Sequence, residues 1–230
     1  MDLYEILCYG DSNTWGTVAR RRVEDEEFRF DRATRWPCVL QAELGDSYAV
    51  TEEGMGFRTT VYTTDPEKTW QNGLALLEPI LYSHHPLDMV IVMLGTNDLR
   101  QEKLPEPEAL GSGISRITEF IQLHPEYGRS GRAPAIILVA PPFIRPSRAD
   151  GRTEVYPIFH GANGEERSLQ FPQIYRAAAE KYGCGFVNAQ QFTVPDSADG
   201  VHMDAASHRR LAHAIAEEVR KLRSSVGSPD

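Results

Sequence analysis

Three short motifs contain residue types that can carry out nucleophilic chemistry. The first is Gly10-Asp11-Ser12, which directly follows an apolar run from Ile6 to Tyr9. A serine hydroxyl becomes a strong nucleophile when a neighbouring base removes its proton. Gly10 permits a tight turn at this point. The same three residues are also typical of a turn in which Asp11 or Ser12 caps a helix. The motif alone therefore leaves a catalytic and a structural interpretation open.

The second motif is Gly95-Thr96-Asn97-Asp98, which also follows an apolar run. The amide of Asn97 is a donor that does not titrate, and such a donor can stabilise a developing oxyanion by on the order of 3 to 4 kcal/mol. An Asx turn or a helix cap formed by Asn97 or Asp98 is the structural alternative.

The third motif is Asp199-Gly200-Val201-His202, close to the end of the chain. An Asp three residues before a His can bind one imidazole nitrogen and leave the other free to accept the Ser12 proton. This spacing alone proves little, because a His near a helix start is commonly a surface or capping residue. The remaining histidines are weaker candidates: His84, His85, His124, His160, His208 and His213.

Five short apolar runs alternate with longer segments of helical periodicity, which is typical of βαβ units. The predicted strands are Tyr4 to Tyr9, Tyr48 to Thr51, Met89 to Leu94, Ala135 to Ala140 and Gly185 to Val187. The predicted helices are Trp36 to Leu44, Asn72 to Ser83, Ala109 to Leu123, Phe171 to Tyr182 and Ala205 to Leu222. We therefore expect an α/β fold with a flavodoxin-like, five-stranded parallel sheet between two helical layers. Motifs that follow strands of such a sheet lie at its carboxyl edge, where ligands bind.

Two segments interrupt this alternation. Thr17 to Arg35 contains runs of basic and acidic residues, and a solvated loop is its simplest interpretation. Pro141 to Glu166 is rich in Pro, Arg and Gly, and it is long enough to be a functional lid or a mobile excursion. No linker divides the chain, so we expect one domain over residues 1–223 and a disordered tail over residues 224–230.

The charge balance argues against polyanionic partners. The chain has 24 Lys and Arg against 33 Asp and Glu, which gives a formal net charge of −9. Such a field repels nucleic acid and anionic lipid surfaces. No apolar stretch approaches the roughly 20 residues that a membrane helix needs. We therefore expect neither nucleic acid nor a membrane as a partner.

Cysteine usage and the N-terminal sequence predict a reducing location. Cys8, Cys38 and Cys184 are odd in number and lack clustered spacing, which disfavours a disulfide framework and a zinc ribbon. Asp2 and Glu5 precede the first apolar run, whereas a signal peptide begins with basic residues. We expect a cytoplasmic protein.

In combination and order, the three motifs resemble those of the SGNH hydrolases, also called the GDSL family. The resemblance covers nearly the whole chain and is more specific than any single motif. It implies that Ser12 is the nucleophile, that Asn97 donates to the oxyanion, and that His202 acts as general base and then acid. It further implies that Asp199 orients the imidazole and that neither a metal nor another cofactor takes part.

One motif of the family departs from its usual form here. The family usually has a Gly whose backbone N–H donates to the oxyanion, close to an Arg-Thr or Asp-Thr pair. Counting back from Arg58-Thr59 places Phe57 at this position, with Gly56 as the neighbouring alternative. A backbone donor tolerates a side chain, so the departure concerns the shape of the pocket: Phe57 could form its wall or turn into the core.

Further stretches of the chain are Thr14-Trp15-Gly16, the charged insertion before Arg35-Trp36, Glu52-Glu53-Gly54 with Arg58-Thr59-Thr60, and Val92-Met93-Leu94-Gly95-Thr96-Asn97-Asp98. In these stretches the chain resembles the oligomeric aryl esterase and acyltransferase branch of this family. That likeness implies a homo-oligomer in which residues 17–35 and 141–166 build subunit contacts and narrow the entrance. The expected activity is hydrolysis of small carboxylic esters, with short acyl or aryl groups, through an acyl-enzyme on Ser12. Transfer of the acyl group to an alcohol would compete with hydrolysis.

Three alternatives remain open from the sequence. A carbohydrate acetylesterase of the same family could stack a sugar on an aromatic side chain, for which the candidates are Trp15, Trp36, Trp70 and Tyr156. A metal-dependent phosphoesterase could use two metal ions near Asp11, Asn97, Asp98 and His202. A protein that kept the fold but lost the reaction would be a binding module or scaffold.

Overall fold

A parallel sheet of five strands organises the chain in the computed structural model, which describes residues 2–22, 24–63, 65–146 and 155–225. The strand order is β2-β1-β3-β4-β5, and every neighbouring pair is parallel. The strands are β1 (Tyr4–Gly10), β2 (Tyr48–Gly54), β3 (Met89–Met93), β4 (Ala135–Ala140) and β5 (Gly185–Asn188). The five predicted strands are confirmed.

Helices cover both faces of this sheet. They are α1 (Ser12–Trp15), α2 (Trp36–Leu44), α3 (Gly73–His84), α4 (Pro107–Leu123), α5 (Val155–Ile158), α6 (Ala162–Ser168), α7 (Phe171–Tyr182) and α8 (Ala205–Ser225). Helices α2 and α8 pack on one face, whereas α3, α4 and α7 pack on the other. The predicted three-layer α/β/α fold is therefore confirmed.

The central strand β3 shows why these residues form a sheet that is covered twice. All five of its residues are buried, and successive side chains of a strand point to opposite faces. Val90 and Val92 belong to the core under α3, α4 and α7. Met89, Ile91 and Met93 belong to the core under α2 and α8. A continuous apolar run is what a strand with two buried faces requires.

The strand order places a ligand-binding edge between β1 and β3. The chain leaves β1 toward β2 on one side and then returns to place β3 on the other side. In open α/β sheets, ligands bind outside the carboxyl ends of the strands at such a switch point. The segments that follow β1 and β3 contain Ser12 and Asn97, so the fold brings the first two motifs to one edge.

The last helix is longer than predicted. The predicted apolar stripe of Leu211, Ile215 and Val219 is fully buried, but α8 continues through Ser225. The hydroxyl of Ser225 donates to the carbonyl of Leu222 at 2.8 Å, within the last turn of the helix. The predicted disordered tail over residues 224–230 was therefore wrong for its first two residues, and residues 226–230 lie outside the described residues.

The two irregular segments both contain ordered structure. In the first, Thr17 and Arg29 form an antiparallel bridge, so residues 17–35 are more than a solvated loop. The second contains α5 and part of α6, while residues 147–154 lie outside the described residues. The interpretation of residues 141–166 as a lid stays a prediction. Within the described ranges, every helix is too short or too polar to cross a membrane.

A buried histidine joins α8 to α2. The side chain of His208 is fully buried, and its Nδ1 accepts the Trp36 backbone N–H at 3.4 Å. Burial lowers the pKa of His208 to about 4 because it disfavours the charged imidazolium. In the unfolded chain, histidine binds a proton below a pH of about 6.5. Acidification therefore favours the unfolded state, which takes up a proton that folded His208 does not.

We expect this histidine to make stability depend on pH. Between pH 7 and pH 5, its titration should lower the free energy of unfolding by about 2 kcal/mol. His208→Asn keeps an acceptor but does not titrate. In this variant, the decrease in the free energy of unfolding between pH 7 and pH 5 should be smaller by about 2 kcal/mol. Urea unfolding at both pH values measures this difference. His213→Asn, on the exposed side of the same helix, is the control, and an unchanged decrease in His208→Asn would contradict the account.

Candidate active site

Ser12 lies where the chain turns from β1 into α1. It is the first residue of α1, and Asp11 is the N-cap, whose Oδ1 accepts the Asn13 backbone N–H at 2.9 Å. The capping interpretation therefore holds for Asp11. Ser12 itself lines a cavity at the carboxyl edge of the sheet, together with Asn97 and His202.

Two glycines allow this turn to lie close to the sheet. A Cβ atom on Gly10 would lie 1.9 Å from Oγ1 of Thr14, and one on Gly54 would lie 2.1 Å from the backbone nitrogen of Trp15. Real Cβ atoms do not approach other atoms so closely, and the second contact is to backbone. A side chain at either position would therefore displace α1 and with it Ser12.

Asp199, His202 and Ser12 form a continuous chain of hydrogen bonds. Nδ1 of His202 lies 2.6 Å from Oδ2 of Asp199, and Nε2 lies 3.0 Å from Oγ of Ser12. With the proton of the imidazole on Nδ1, Nε2 is free to accept the serine proton. The third motif thus meets the first, although they are 190 residues apart in the sequence.

The charges of this group suit a proton acceptor. Burial lowers the pKa of His202, but the charge and hydrogen bond of Asp199, assisted by the charge of Asp11, outweigh burial, so the pKa is raised above 6.5. For Asp199, burial raises the pKa, and the interactions with His202 and the backbone outweigh it, so the pKa lies below 3.8. Asp199 is thus ionised at neutral pH and stabilises a proton on His202.

Backbone donors from two segments hold the Asp199 carboxylate. Oδ1 accepts the N–H groups of Val201 at 2.8 Å and of His202 at 2.9 Å. Oδ2 accepts the N–H of Arg20 at 3.3 Å, which comes from the charged segment 17–35. The sequence could not predict this contact, because every residue except proline has a backbone N–H and the donor therefore does not depend on the residue type.

Asn13 ties the serine turn to the histidine loop. Its Oδ1 accepts the Met203 N–H at 3.0 Å, and its Nδ2 donates to the Val201 carbonyl at 3.5 Å. The side chain is 2% exposed. The amide therefore fixes the two segments that carry Ser12 and His202 relative to each other.

Phe57 and Gly56 occupy the central positions of a tight turn at the cavity. The Arg58 N–H donates to the Met55 carbonyl at 3.2 Å, and Phe57 has φ of 67°. A positive φ at the third position of a turn favours glycine, so the phenylalanine is strained there. Phe57 is 37% exposed and lines the cavity. Of the two orientations that the sequence left open, its side chain therefore forms the wall of the pocket and does not turn into the core.

Four candidate donors line the cavity: the backbone N–H groups of Ser12, Gly56 and Phe57, and the side-chain amide of Asn97. Among the described residues, no group accepts a hydrogen bond from the N–H of Ser12, Gly56 or Phe57. Nδ2 of Asn97 donates one hydrogen to the Arg58 carbonyl at 3.2 Å, so its second hydrogen is available. Free donors at the edge of a small cavity are what an oxyanion requires. Both Phe57 and Gly56 remain candidates for the backbone donor.

Arg58 anchors the turn that contains Phe57. It is 2% exposed, and its Nη1 donates to the carbonyls of Gly10, at 2.9 Å, and of Glu53. Its guanidinium lies 4.3 Å from the ring centroid of Tyr9. The arginine therefore connects the turn to the end of β1. The sequence alone did not indicate this anchoring role of Arg58.

The two acids near the motifs, Asp11 and Asp98, are buried. Both oxygens of Asp98 accept hydrogen bonds from Thr60, at 2.8 Å from its N–H and 2.8 Å from its hydroxyl. Burial raises the pKa of Asp98 to about 7 and that of Asp11 to about 6. Neither lines the cavity. The metal-dependent alternative requires these carboxylates as ligands, but they serve as structural acceptors instead.

The cavity holds about 590 Å³ of space, including its open mouth. Its walls come from the segments after β1, β2 and β3, from the charged segment, from α5 with the residue that follows it, and from the loop before α8. The lining residues are Ser12, Arg20, Glu27, Gly56, Phe57, Thr96, Asn97, Arg100, Val155, Ile158, Phe159, Val201 and His202. None of the four aromatic residues considered for sugar stacking lines it, and Trp36 is fully buried.

Comparisons with known proteins agree with this geometry. Residues 8–210 match the profile of the GDSL-like lipase/acylhydrolase family. A search among curated proteins gave no significant match.

Solved structures resemble the whole chain. The native aryl esterase of M. smegmatis is 34% identical, with a TM-score of 0.86 over 95% of this chain and 99% of that one. A carbohydrate acetylesterase from Sinorhizobium meliloti gives the same four values. A putative arylesterase from Agrobacterium tumefaciens is 33% identical, with a TM-score of 0.79 over 96% and 99%. These matches confirm the resemblance of the motifs: the chain belongs to the GDSL-like lipase/acylhydrolase family, the SGNH hydrolases.

Proposed function

We propose that this protein is a serine esterase that hydrolyses small carboxylic esters through an acyl-enzyme on Ser12. The observation that carries this proposal is the chain of hydrogen bonds from Asp199 through His202 to Ser12. It ends in a cavity lined by N–H donors that no acceptor among the described residues occupies. A serine beside a neutral, oriented imidazole is the arrangement that acyl transfer needs.

The first half of the reaction forms the acyl-enzyme. His202 Nε2 takes the proton of Ser12 as Oγ attacks the ester carbonyl. Hydrogen bonds from Asn97 Nδ2 and from the backbone N–H groups of Ser12 and Phe57 stabilise the negative oxygen. Gly56 is the alternative backbone donor. The imidazolium, stabilised by Asp199, then protonates the departing alcohol.

The second half releases the acid. His202 takes a proton from water, which attacks the acyl carbonyl, and returns the proton to Ser12 as the acyl bond breaks. An alcohol in place of water would give a new ester by the same steps. The apolar side chains of Val155, Ile158 and Phe159 line the cavity and favour an alcohol with an apolar group over water. We therefore extend the proposal to acyl transfer.

The size of the cavity supports small substrates. The space open to the centre of a water molecule is only about 70 Å³, so the cavity encloses a short acyl group and leaves an aryl or small alkyl alcohol toward the open mouth. The similarity to a carbohydrate acetylesterase supports acetylated sugars as the second candidate. Phe57, rather than the tryptophans, is then the ring that could contact the sugar. The homo-oligomer and the cytoplasmic location stay predictions.

Replacing Ser12 with Ala should lower kcat/KM for an aryl acetate on the order of 10⁴-fold or more, because the nucleophile is lost. The assay should compare aryl esters, acetylated sugars and acyl thioesters, each with and without added alcohol. Ser47→Ala, at an exposed position of the same residue type, is the control and should keep the activity. Undiminished turnover by Ser12→Ala would refute the assignment of the nucleophile.

Asp199→Asn should shift the pH dependence of kcat/KM. The neutral imidazole is the active form, so activity falls as the pH drops through the His202 pKa, which Asp199 raises above 6.5. Without that charge, burial lowers the pKa, and the acid limb should move to lower pH. The activity at pH 8 should fall about 10⁴-fold, because the tautomer is no longer fixed.

The measurement is the residual hydrolysis of an activated aryl ester between pH 4 and pH 9. Asp46→Asn removes the same charge from an exposed position and should leave the acid limb in place. An acid limb at the same pH in Asp199→Asn and in the wild type would show that Asp199 does not raise the pKa of His202.

A further inference from the structure

Arg100 lies in the cavity one turn away from Asn97. Both belong to the 3₁₀ helix Thr96–Arg100 that follows β3. In a 3₁₀ helix, residues three apart lie on the same side, about 6 Å apart along the axis. Arg100 and Asn97 therefore face the same space, and both line the cavity beside Ser12. The mechanism above uses Asn97 but leaves Arg100 without a role.

The guanidinium of Arg100 has no acceptor among the described residues. It lies 4.7 Å from the ring centroid of Phe57 and 6.0 Å from that of Phe159. No carboxylate or carbonyl of the described residues receives its hydrogen bonds. Burial lowers the pKa of Arg100, but an arginine keeps its charge. A cation with five donors is thus held between two aromatic rings at the edge of the cavity.

Arg35 and Arg58 are buried more deeply than Arg100, and both have hydrogen-bond acceptors inside the protein. Arg35 binds both oxygens of Glu52, at 2.7 and 2.9 Å. Arg58 binds backbone carbonyls. These side chains offset the cost of losing water with hydrogen bonds inside the protein. Among the described residues, Arg100 has only the two rings in exchange for the water it has lost, so no described acceptor competes with a ligand for its donors.

The remaining charges of the cavity do not neutralise Arg100. Arg20 and Glu27 are its other charged lining residues, apart from the imidazole of His202. Glu27 is exposed, and its carboxylate accepts the hydroxyl of Thr17 at 3.4 Å. The chain as a whole has a net charge of −9. A cation without an ion-pair partner among the described residues therefore lies beside the nucleophile, in a protein whose overall charge is negative.

We propose that the preferred esters of this enzyme carry a carboxylate, which Arg100 binds while the ester carbonyl lies at Ser12. This inference rests on the esterase activity proposed above and specifies its substrate class. The planar guanidinium matches a carboxylate with two parallel hydrogen bonds. Phe57 and Phe159 keep water from the guanidinium and so strengthen the pair. The carboxylate belongs to the acyl group or to the alcohol, and the test distinguishes the two.

Two substrate pairs test the proposal, each with a carboxylate and its neutral carboxamide counterpart. The acyl pair is monoethyl succinate and ethyl succinamate, and the alcohol pair is 4-acetoxybenzoate and 4-acetoxybenzamide. The quantity measured is the ratio of kcat/KM between the charged and the neutral ester. Arg100→Met keeps an apolar contact with the rings, whereas Arg100→Lys keeps the charge. Arg21→Met removes a positive charge from an exposed position outside the cavity.

In Arg100→Met, the ratio should fall roughly ten- to a hundredfold for one of the two pairs, as expected for a lost charged hydrogen bond. Arg100→Lys should keep most of the ratio, and Arg21→Met should keep all of it. The pair that responds identifies the part of the ester that carries the carboxylate. Because each ratio compares two substrates of one variant, a general loss of folded enzyme cancels.

An unchanged ratio in Arg100→Met for both pairs would overturn the proposal, as would an equal fall in Arg21→Met. If the wild type hydrolyses the neutral esters and the ratios do not respond, the esterase function stands and only the role of Arg100 is lost. If neither pair nor any aryl acetate is hydrolysed by the wild type, the esterase proposal fails, and this inference fails with it.

Discussion

The hydrogen bond between His202 and Ser12 depends on the buried contacts that position the turn after β1 and the loop before α8. The two residues are 190 positions apart and must hold Nε2 within 3.0 Å of Oγ. The turn after β1 fixes one partner, and the loop before α8 fixes the other. Asn13 binds the two together through the backbone around Met203. An error of about 1 Å at this contact would cost roughly a hundredfold in rate, which explains why so many buried polar contacts surround it.

These buried polar side chains form two groups, each of which holds a different part of the site in place. Asp11 caps α1, and Asn13 holds the histidine loop, so the first group positions Ser12 and His202. Arg58 and Asp98 form the second, which fixes the strained turn at Phe57 against β1. Burying charged or polar side chains costs free energy unless each finds partners. These buried polar side chains lie at the carboxyl edge of β1 and β3, where they fix the positions of Ser12, His202 and the turn at Phe57.

The sequence predicts the fold and indicates the candidate site residues that the structure brings together, but it does not predict the contacts that support them. All five strands follow from apolar runs, because β3 and its neighbours are buried on both faces. The motifs indicate Ser12, Asn97 and His202 because chemistry restricts their residue types. The contacts of Asn13, and the backbone of Arg20 at Asp199, depend on segments far apart in the chain. Their residue types fit many roles, so only the folded structure identifies them.

The central claim is that Ser12 is a nucleophile activated by His202, and covalent labelling tests it most directly. The protein is treated with a fluorophosphonate and its intact mass is measured, followed by mapping of the modified peptide. The account predicts one adduct per chain, on Ser12, and almost no labelling in His202→Ala, in which the base is missing. Full-length protein that stays unlabelled, or an adduct on another residue with Ser12 unmodified, would contradict the account.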